Sequence, residues 1–352
     1  MKGPTNMTLR NAKLGSAIAA ALIASLFAIA PAGAQATCGG QVPTIESNAS
    51  TIVGTTGDDV ILAGPGNNMI RGLAGNDIIC GGDGDDEIIG GLGADIIFAE
   101  EGDDFVKGGS GADDIFGGTG DDELRGALGN DEIHGNEGDD LIKGGARHDM
   151  IFGGSGNDEL AGSPGDDILD GAEGDDVIFG GRNDDIITGG SGNDVIDGGN
   201  HDDQISGNAG DDDILGGLGN DFIDGGGGAD HLLGDDGQAF DEPIGSGVEH
   251  PGGNDTIIGG GGPDYLGGEG GNDNLSGRTG LDVLDGFHGD DVVAGDNAND
   301  LLSGGTGDDE LDGGNGFDRC WPELVVLSDG SVAPNNSGDS AAGCEQINQV
   351  LN

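Results

Sequence analysis

The sequence predicts an all-β solenoid whose repeating coil is eighteen residues long. The first observation behind this is an aspartate grid. An aspartate stands at every ninth position from Asp77 to Asp230, eighteen in succession, and the grid resumes at Asp255 for eight more, ending at Asp318. The second is an apolar column two residues after each aspartate: Ile79, Ile88, Ile97, Val106, Ile115, Leu124 and onward to Leu311, with Cys320 in the last copy. The third is a glycine that usually stands two residues before the aspartate. A fixed short period held over this length marks a repeat architecture in which the repeat is the functional unit.

The unit reads G-G-x-G-x-D-x-U-x, where U is a large aliphatic residue; Gly81 to Ile89 is a full copy and Gly117 to Arg125 another. The x-U-x half is too short for a helix and rich in Ile, Leu and Val, so it reads as a three-residue strand. The glycine half turns tightly because glycine adopts positive φ without a Cβ clash. Turn, strand, turn and strand make one coil. Stacked coils bury the U side chains in a narrow core and line up successive turns along two edges.

At these residues the chain resembles the RTX (repeats-in-toxin) calcium-binding family, over roughly residues 54 to 319. The resemblance implies a right-handed parallel β-roll in which Ca²⁺ sits between adjacent turns on one edge. There it is held by the repeat aspartates and by loop carbonyls. The matching positions are Asp59, Asp77, Asp86, Asp95, Asp104, Asp113, Asp122, Asp131, Asp140, Asp149, Asp158, Asp167, Asp176, Asp185, Asp194, Asp203, Asp212, Asp221 and Asp230 in the first block. In the second they are Asp255, Asp264, Asp273, Asp282, Asp291, Asp300, Asp309 and Asp318. Asn68 takes the aspartate position in one further copy.

Electrostatics reaches calcium independently. A parallel roll stacks like positions about 4.8 Å apart along each edge. Carboxylates at that spacing repel by about 1 kcal/mol per pair in bulk water, and by about 3–4 at an effective dielectric near 20. Over about two dozen pairs this is on the order of 20–80 kcal/mol, against a typical net stability of about 5–15. An ordered roll therefore needs a counter-ion. Ca²⁺ accepts carboxylate and carbonyl oxygens in flexible geometry, whereas Mg²⁺ demands a small octahedron and keeps its waters. Softer metals want His or Cys at fixed spacing; the grid offers neither, and His134, His148, His201, His231, His250 and His288 share no common step. Each site needs two turns on one edge. Twenty copies in the first block and eight in the second, each block losing two, leave at most about 24 Ca²⁺ sites.

The grid also predicts two unequal edges. The copies at Arg147, Asn183 and His201 lack the glycine two before the aspartate, and they differ by multiples of eighteen, so they share an edge. That edge also carries Ala94 and Ala112, whereas the other is mostly Gly-Asp-Asp or Gly-Asn-Asp. Weaker or missing ions are expected near Arg147, Asn183 and His201, mildest at Asn183 because asparagine tolerates the left-handed region.

Net charge is -57, glycine makes up 81 of 352 residues, and aromatics are 3%. Without the repeat, such a composition describes a disordered chain. The expectation is an expanded chain without calcium and a folded one with it, binding free energy becoming folding free energy. Acidity this strong excludes nucleic acid as a partner, because phosphates are repelled.

Residues 1–36 read as a Sec-type signal peptide. Lys2, Arg10 and Lys13 form the basic region, Leu14 to Ala30 the apolar run, and Ala34-Gln35-Ala36 an A-x-A cleavage site, with Ala32-Gly33-Ala34 as a second choice. The apolar run is short for a retained membrane anchor, and Gln35 and Thr37 before Cys38 do not resemble a lipobox. This leader departs from the best-known RTX proteins, which use a C-terminal export signal. The expected location is extracellular. Four cysteines suit an oxidising compartment, and their positions predict Cys38–Cys80 and Cys320–Cys344, each clamping one end of the roll; the other two pairings stay open. Residues 37–53 and 320–352 then act as caps, since solenoid ends expose core and strand edges. In the tail, Trp321, the strand-like Leu324 to Leu327 and the turn-like Asp329-Gly330 suit that role. The roll occupies 54–235 and 254–319, and an insertion at 236–253 (with Phe240, Pro243, His250 and Pro251) reads as a surface loop or a partner-binding protrusion.

Catalytic constellations are missing: there is no G-x-S-x-G, H-E-x-x-H or P-loop. Pairs such as Asp86-Glu87 recur with the repeat and read as metal ligands plus a solvated acidic face. The sequence therefore predicts a secreted bacterial calcium-binding protein, not an enzyme, binding no nucleic acid and no membrane once the signal is removed. Acidic edges favour a monomer, and a cell-surface or matrix partner is left unspecified. Two alternatives stand: a calcium-stiffened structural or adhesive protein, and a polysaccharide-acting enzyme with the roll as scaffold.

Overall fold

The computed structural model describes residues 37–235 and 253–321, the short segments 324–326, 332–334 and 340–342, and residue 344. The predicted signal peptide, insertion residues 236–252 and the Asp329-Gly330 turn lie outside the described residues. The chain is an all-β parallel solenoid. A sixteen-stranded sheet runs from Ile45–Ser47 to Ser340–Ala342, and a fifteen-stranded sheet from Thr51–Val53 to Arg319–Trp321. Successive strands alternate between the two sheets, so each residue pairs with the one eighteen positions on, as Leu124 does with Ile142 and Ile133 with Ile151. The nine-residue grid therefore alternates between two edges.

The U column forms the core: Ile79, Ile88, Ile97 and Ile115 are fully buried, and the column stays buried to Cys320. Each aliphatic side chain meets those of the facing sheet and of the coils above and below, so no coil buries its own core alone.

Strands in most of the roll are six residues long, not three; Ile78–Asp83 and Glu87–Leu92 are examples. Parallel pairing continues past x-U-x into the glycine half, because the turn stacks on its neighbour as regularly as the strand does. One position interrupts it. Between Met69–Ala74 and Glu87–Leu92, Arg71 pairs with Ile89 and Leu73 with Gly91, and the glycine between is skipped. Beyond Thr279 the strands shorten to three residues, as in Val283–Asp285.

Two details correct the sequence expectation. The two blocks form one stack, since Phe222 pairs with Thr256 and His231 with Tyr265 across the insertion. The described coils on either side of residues 236–252 therefore stack directly on each other. Ala298 is a fourth residue replacing the glycine two before an aspartate, and the sequence reading missed it.

Both predicted disulfides are present. Cys38–Cys80 ties the first loop to the third copy, and Cys320–Cys344 ties the last core position to the tail. Ser340–Ala342 adds the final parallel strand on Glu310–Asp312, and Leu324–Val326 forms an antiparallel pair with Val332–Pro334. The tail thus supplies the last strand of one sheet and a separate two-stranded pair.

Arg147, Asn183 and His201 hold φ of 91°, 79° and 84°. A side chain in this left-handed region costs about 1–2 kcal/mol. Arg147→Gly is therefore expected to stabilise the folded protein by about 1 kcal/mol, and Asn183→Gly by less. Chemical denaturation in saturating calcium measures both; an unchanged midpoint for Arg147→Gly would show that the turn carries no strain.

Candidate metal centres

Each turn brings its aspartate to the inside of the edge, where it is almost wholly buried: Asp113 is 0% exposed and Asp95, Asp149 and Asp185 1%. The two carboxylate oxygens have different fates. Oδ1 accepts the backbone N–H of the aspartate one coil earlier. Asp77 donates to Asp95 at 2.8 Å, Asp95 to Asp113 at 2.9 Å and Asp104 to Asp122 at 2.8 Å. This ladder runs up both edges and crosses the insertion, with Asp221 donating to Asp255 at 2.7 Å. Oδ2, from Asp77 through Asp300 and again at Asp318, is buried with no hydrogen-bond partner. A buried unpaired carboxylate oxygen is among the most costly arrangements a fold can hold, and here it recurs in every coil.

The space beside Oδ2 explains the first glycine of the unit. A Cβ placed on Gly81 would lie 2.5 Å from Oδ2 of Asp86 and 2.6 Å from the carbonyl oxygen of Ala99 on the next coil. On Gly90 it would lie 2.5 Å from Oδ2 of Asp95 and 2.7 Å from the Gly108 carbonyl. One carboxylate oxygen and one backbone carbonyl from the following coil thus face the same gap. Glycine is the rule there for room, not for φ; Ala63 and Ala99 are exceptions.

A second hydrogen-bond ladder lies just outside the first, at the residue before each aspartate. Asp58 accepts from the N–H of Asn76 at 2.8 Å, Asn76 from Ala94 at 2.9 Å and Asn157 from Asp175 at 2.8 Å. The sequence reading took these residues for a solvated acidic face. Their role was written in the interchange of Asp and Asn at one position, since both offer the same Oδ1 acceptor. Ala94 and Ala112 lack it and leave the ladder incomplete on that edge.

Burial, the largest influence, raises the grid carboxyls from Asp77 to Asp300. Asp122 is pushed up to about 7, with Asp140, Asp104 and Asp103 adding like charge against the opposing hydrogen bond from Asp104. Asp185, Asp255 and Asp291 are pushed up to about 8 by the same causes. These positions describe the side chains without a cation beside them.

The arrangement fits a hard cation. The donors are oxygens only, carboxylate and carbonyl, stacked coil on coil, which matches the ligand preference and flexible geometry of Ca²⁺. Among the described residues no three His, Cys, Asp or Glu side chains gather into a cluster. The oxygens that stack between coils line the mixed carboxylate–carbonyl gaps. The histidines are dispersed, and His134 is instead one ring in a stack with Phe116 and Phe152 on the outer face of a sheet.

The family-model match agrees with this geometry. The RTX calcium-binding nonapeptide repeat matches the chain in overlapping segments from residue 53 to 239 and from 252 to 320. The chain belongs to this calcium-binding family. Among solved structures, a hyperactive, Ca²⁺-dependent, β-helical antifreeze protein from an Antarctic bacterium is similar over 83% of this chain and 96% of its own, at 17% identity and a TM-score of 0.28. No curated protein matches.

The raised carboxyls set a pH dependence. A group with a folded pKa above its unfolded value of 3.8 destabilises the fold above the folded pKa, and the penalty fades as pH falls through it. The window here is about 8 down to about 6. Without calcium, β structure is therefore expected to increase as pH is lowered from about 8 to about 5, while the calcium needed for folding rises because protons compete for the same oxygens. Circular dichroism at a series of pH values, with and without chelator, measures both slopes. Loss of β structure on acidification in chelator would contradict the burial argument.

Proposed function

We propose that this is a secreted calcium-binding protein whose roll folds when Ca²⁺ enters the gaps between stacked turns. The observation that carries the reading is the repeated, buried and unpaired Oδ2 of the grid aspartates. In this reading each ion is held by those oxygens and by turn carbonyls of adjacent coils. A cation beside Oδ2 offsets both the burial of the charge and the repulsion along the row. Without it, a chain of net charge -57 gains too little from its thin core to order itself. The continuous stacking across the insertion adds one gap on each edge, so the upper bound rises by two from about 24 ions. The edge carrying Arg147, Asn183 and His201 is the weaker, since strained turns position their carbonyls less well.

Folding on calcium suits export. A chain carried unfolded across a membrane in low calcium folds only where calcium is abundant, and the disulfides at both ends then lock the stack. The family is defined by calcium binding, and the chemistry described here requires no catalytic group.

The test is a far-ultraviolet circular dichroism titration with Ca²⁺, then chelator, with Mg²⁺ as control. A cooperative, reversible gain of β structure specific to Ca²⁺ is expected. A β spectrum indifferent to chelator would sink the proposal. The substitution Asp122→Asn gives a sharper sign: it removes a buried charge, so the ion-free protein should gain stability while more calcium is needed to complete folding. Neither quantity changing would mean the side chain acts only as a hydrogen-bond acceptor, a role asparagine keeps.

A further inference from the structure

We propose that the calcium-loaded protein associates side by side with further copies of itself, a basic row on one copy meeting the acidic edge of the next. This rests on the calcium reading above, because bound Ca²⁺ is what removes most of the repulsion between two such acidic chains.

The chain has eleven Lys and Arg, three of them in the first 36 residues. Of the remaining eight, six fall on one band of the surface. Arg71, Lys107, Arg125 and Lys143 stand in a single column of the fifteen-stranded sheet, with Ile89 as the one interruption. All four are exposed. Their strands run directly into the edge that carries Arg147 and Arg182, also exposed. From Gly72 to His148 the outward turn positions of that edge hold no carboxylate. They include Leu92 and Leu128, which are 61% and 60% exposed, and Ala94 and Ala112. The grid aspartates of this edge are buried beneath them.

The opposite edge, over the same coils, is the reverse. Asp85, Asp103, Asp121 and Asp139 climb it one coil at a time, exposed, each with Oδ1 on a backbone N–H of the next coil, and Glu101 and Glu137 flank them. In a molecule of net charge -57, basic side chains gathered on one band and excluded from the other make a two-faced object.

Internal charge balance is the competing explanation, and it accounts for one member. Arg125 contacts Glu123 and lies 5.3 Å over the ring of Phe105. Among the described residues Lys107 and Lys143 form no ion pair, although Glu87 and Glu123 stand in the neighbouring column. A second copy fits the unpaired row because both rows are set by the same parallel ladder, each stepping about 4.8 Å per coil. Once one Lys–Asp pair forms between two copies lying side by side, the following coils come into register without adjustment. The interface joins unlike faces, so it does not close on itself and builds arrays. The expectation of a monomer treated both edges as acidic, and only one of them is over these coils.

Sedimentation velocity in saturating calcium at low ionic strength tests this, with circular dichroism on the same samples. Mass should rise with protein concentration, and fall back to the monomer with about 0.5 M salt or in the triple variant Lys107→Gln, Arg125→Gln, Lys143→Gln. A second variant, Asp85→Asn, Asp103→Asn, Asp121→Asn, Asp139→Asn, keeps every Oδ1 acceptor, as natural Asn157 does at 2.8 Å. It too should be monomeric alone. An equal mixture of the two variants should form heterodimers and stop there, since each retains one working face. A monomer with full β signal overturns the proposal and leaves the calcium reading intact; no β signal in calcium overturns the calcium reading itself. If the protein stays monomeric yet its sedimentation shifts on adding polygalacturonate, the row serves a linear polyanion and self-association is again overturned.

Discussion

Everything in this molecule depends on one buried carboxylate repeated along two edges. Its Oδ1 holds the coil below through a backbone N–H, and its Oδ2 points into a gap with no proton donor from the protein. The first oxygen fixes the spacing of turns. The second is a buried charge without a partner, costly at neutral pH, and in the proposed reading a cation shares it. Both properties thus come from the same side chain; Asn68, the one asparagine in the grid, brings no charge, and its side-chain amide donates instead to the Ala49 carbonyl.

The fold was almost wholly legible in the sequence, because a solenoid repeats its instructions. A period of nine with one apolar residue per copy allows two strands per coil and a core of stacked Ile and Leu, and Ile79 to Leu311 lie where the pattern puts them. The disulfides were legible too, since a rod leaves distant cysteines no way to meet. Strand length was not legible. Whether Gly-Gly-x pairs with its neighbour depends on how turns stack, which no single copy reveals. The continuity of the roll past Asp235 was hidden for the same reason, as only the pairing of Phe222 with Thr256 shows that the coils on either side stack directly.

The candidate site was half legible. The aspartates announced themselves by frequency. The residue before each one did not, since the Gly-Asp-Asp and Gly-Asn-Asp copies carried no stated role for it; in the structure it is a second ladder of acceptors, Asn157 and Asp139 playing one part. The carbonyl oxygens facing Oδ2 have no sequence signature of their own. Their trace is the glycine that makes room for them, and a glycine kept for room is indistinguishable in sequence from one kept for φ.

That distinction between glycines decides how damage spreads. At the second and fourth positions of the unit glycine supplies positive φ, and the chain replaces it often: Leu73, Ala127, Asn136 and Arg147 all adopt φ between 80° and 91°. At the first position only Ala63 and Ala99 intrude, next to Oδ2 and the facing carbonyl. Strain in φ is a local cost of about 1–2 kcal/mol, which a long stack absorbs through its neighbours. A methyl group in the gap instead moves the oxygens that a cation must touch, so it weakens the gap on either side. Within the repeat the residue varies where the cost is conformational and stays glycine, or at most alanine, where it would fall on the facing oxygens. That pattern is expected when the cation, more than the core, supplies the stability of each coil.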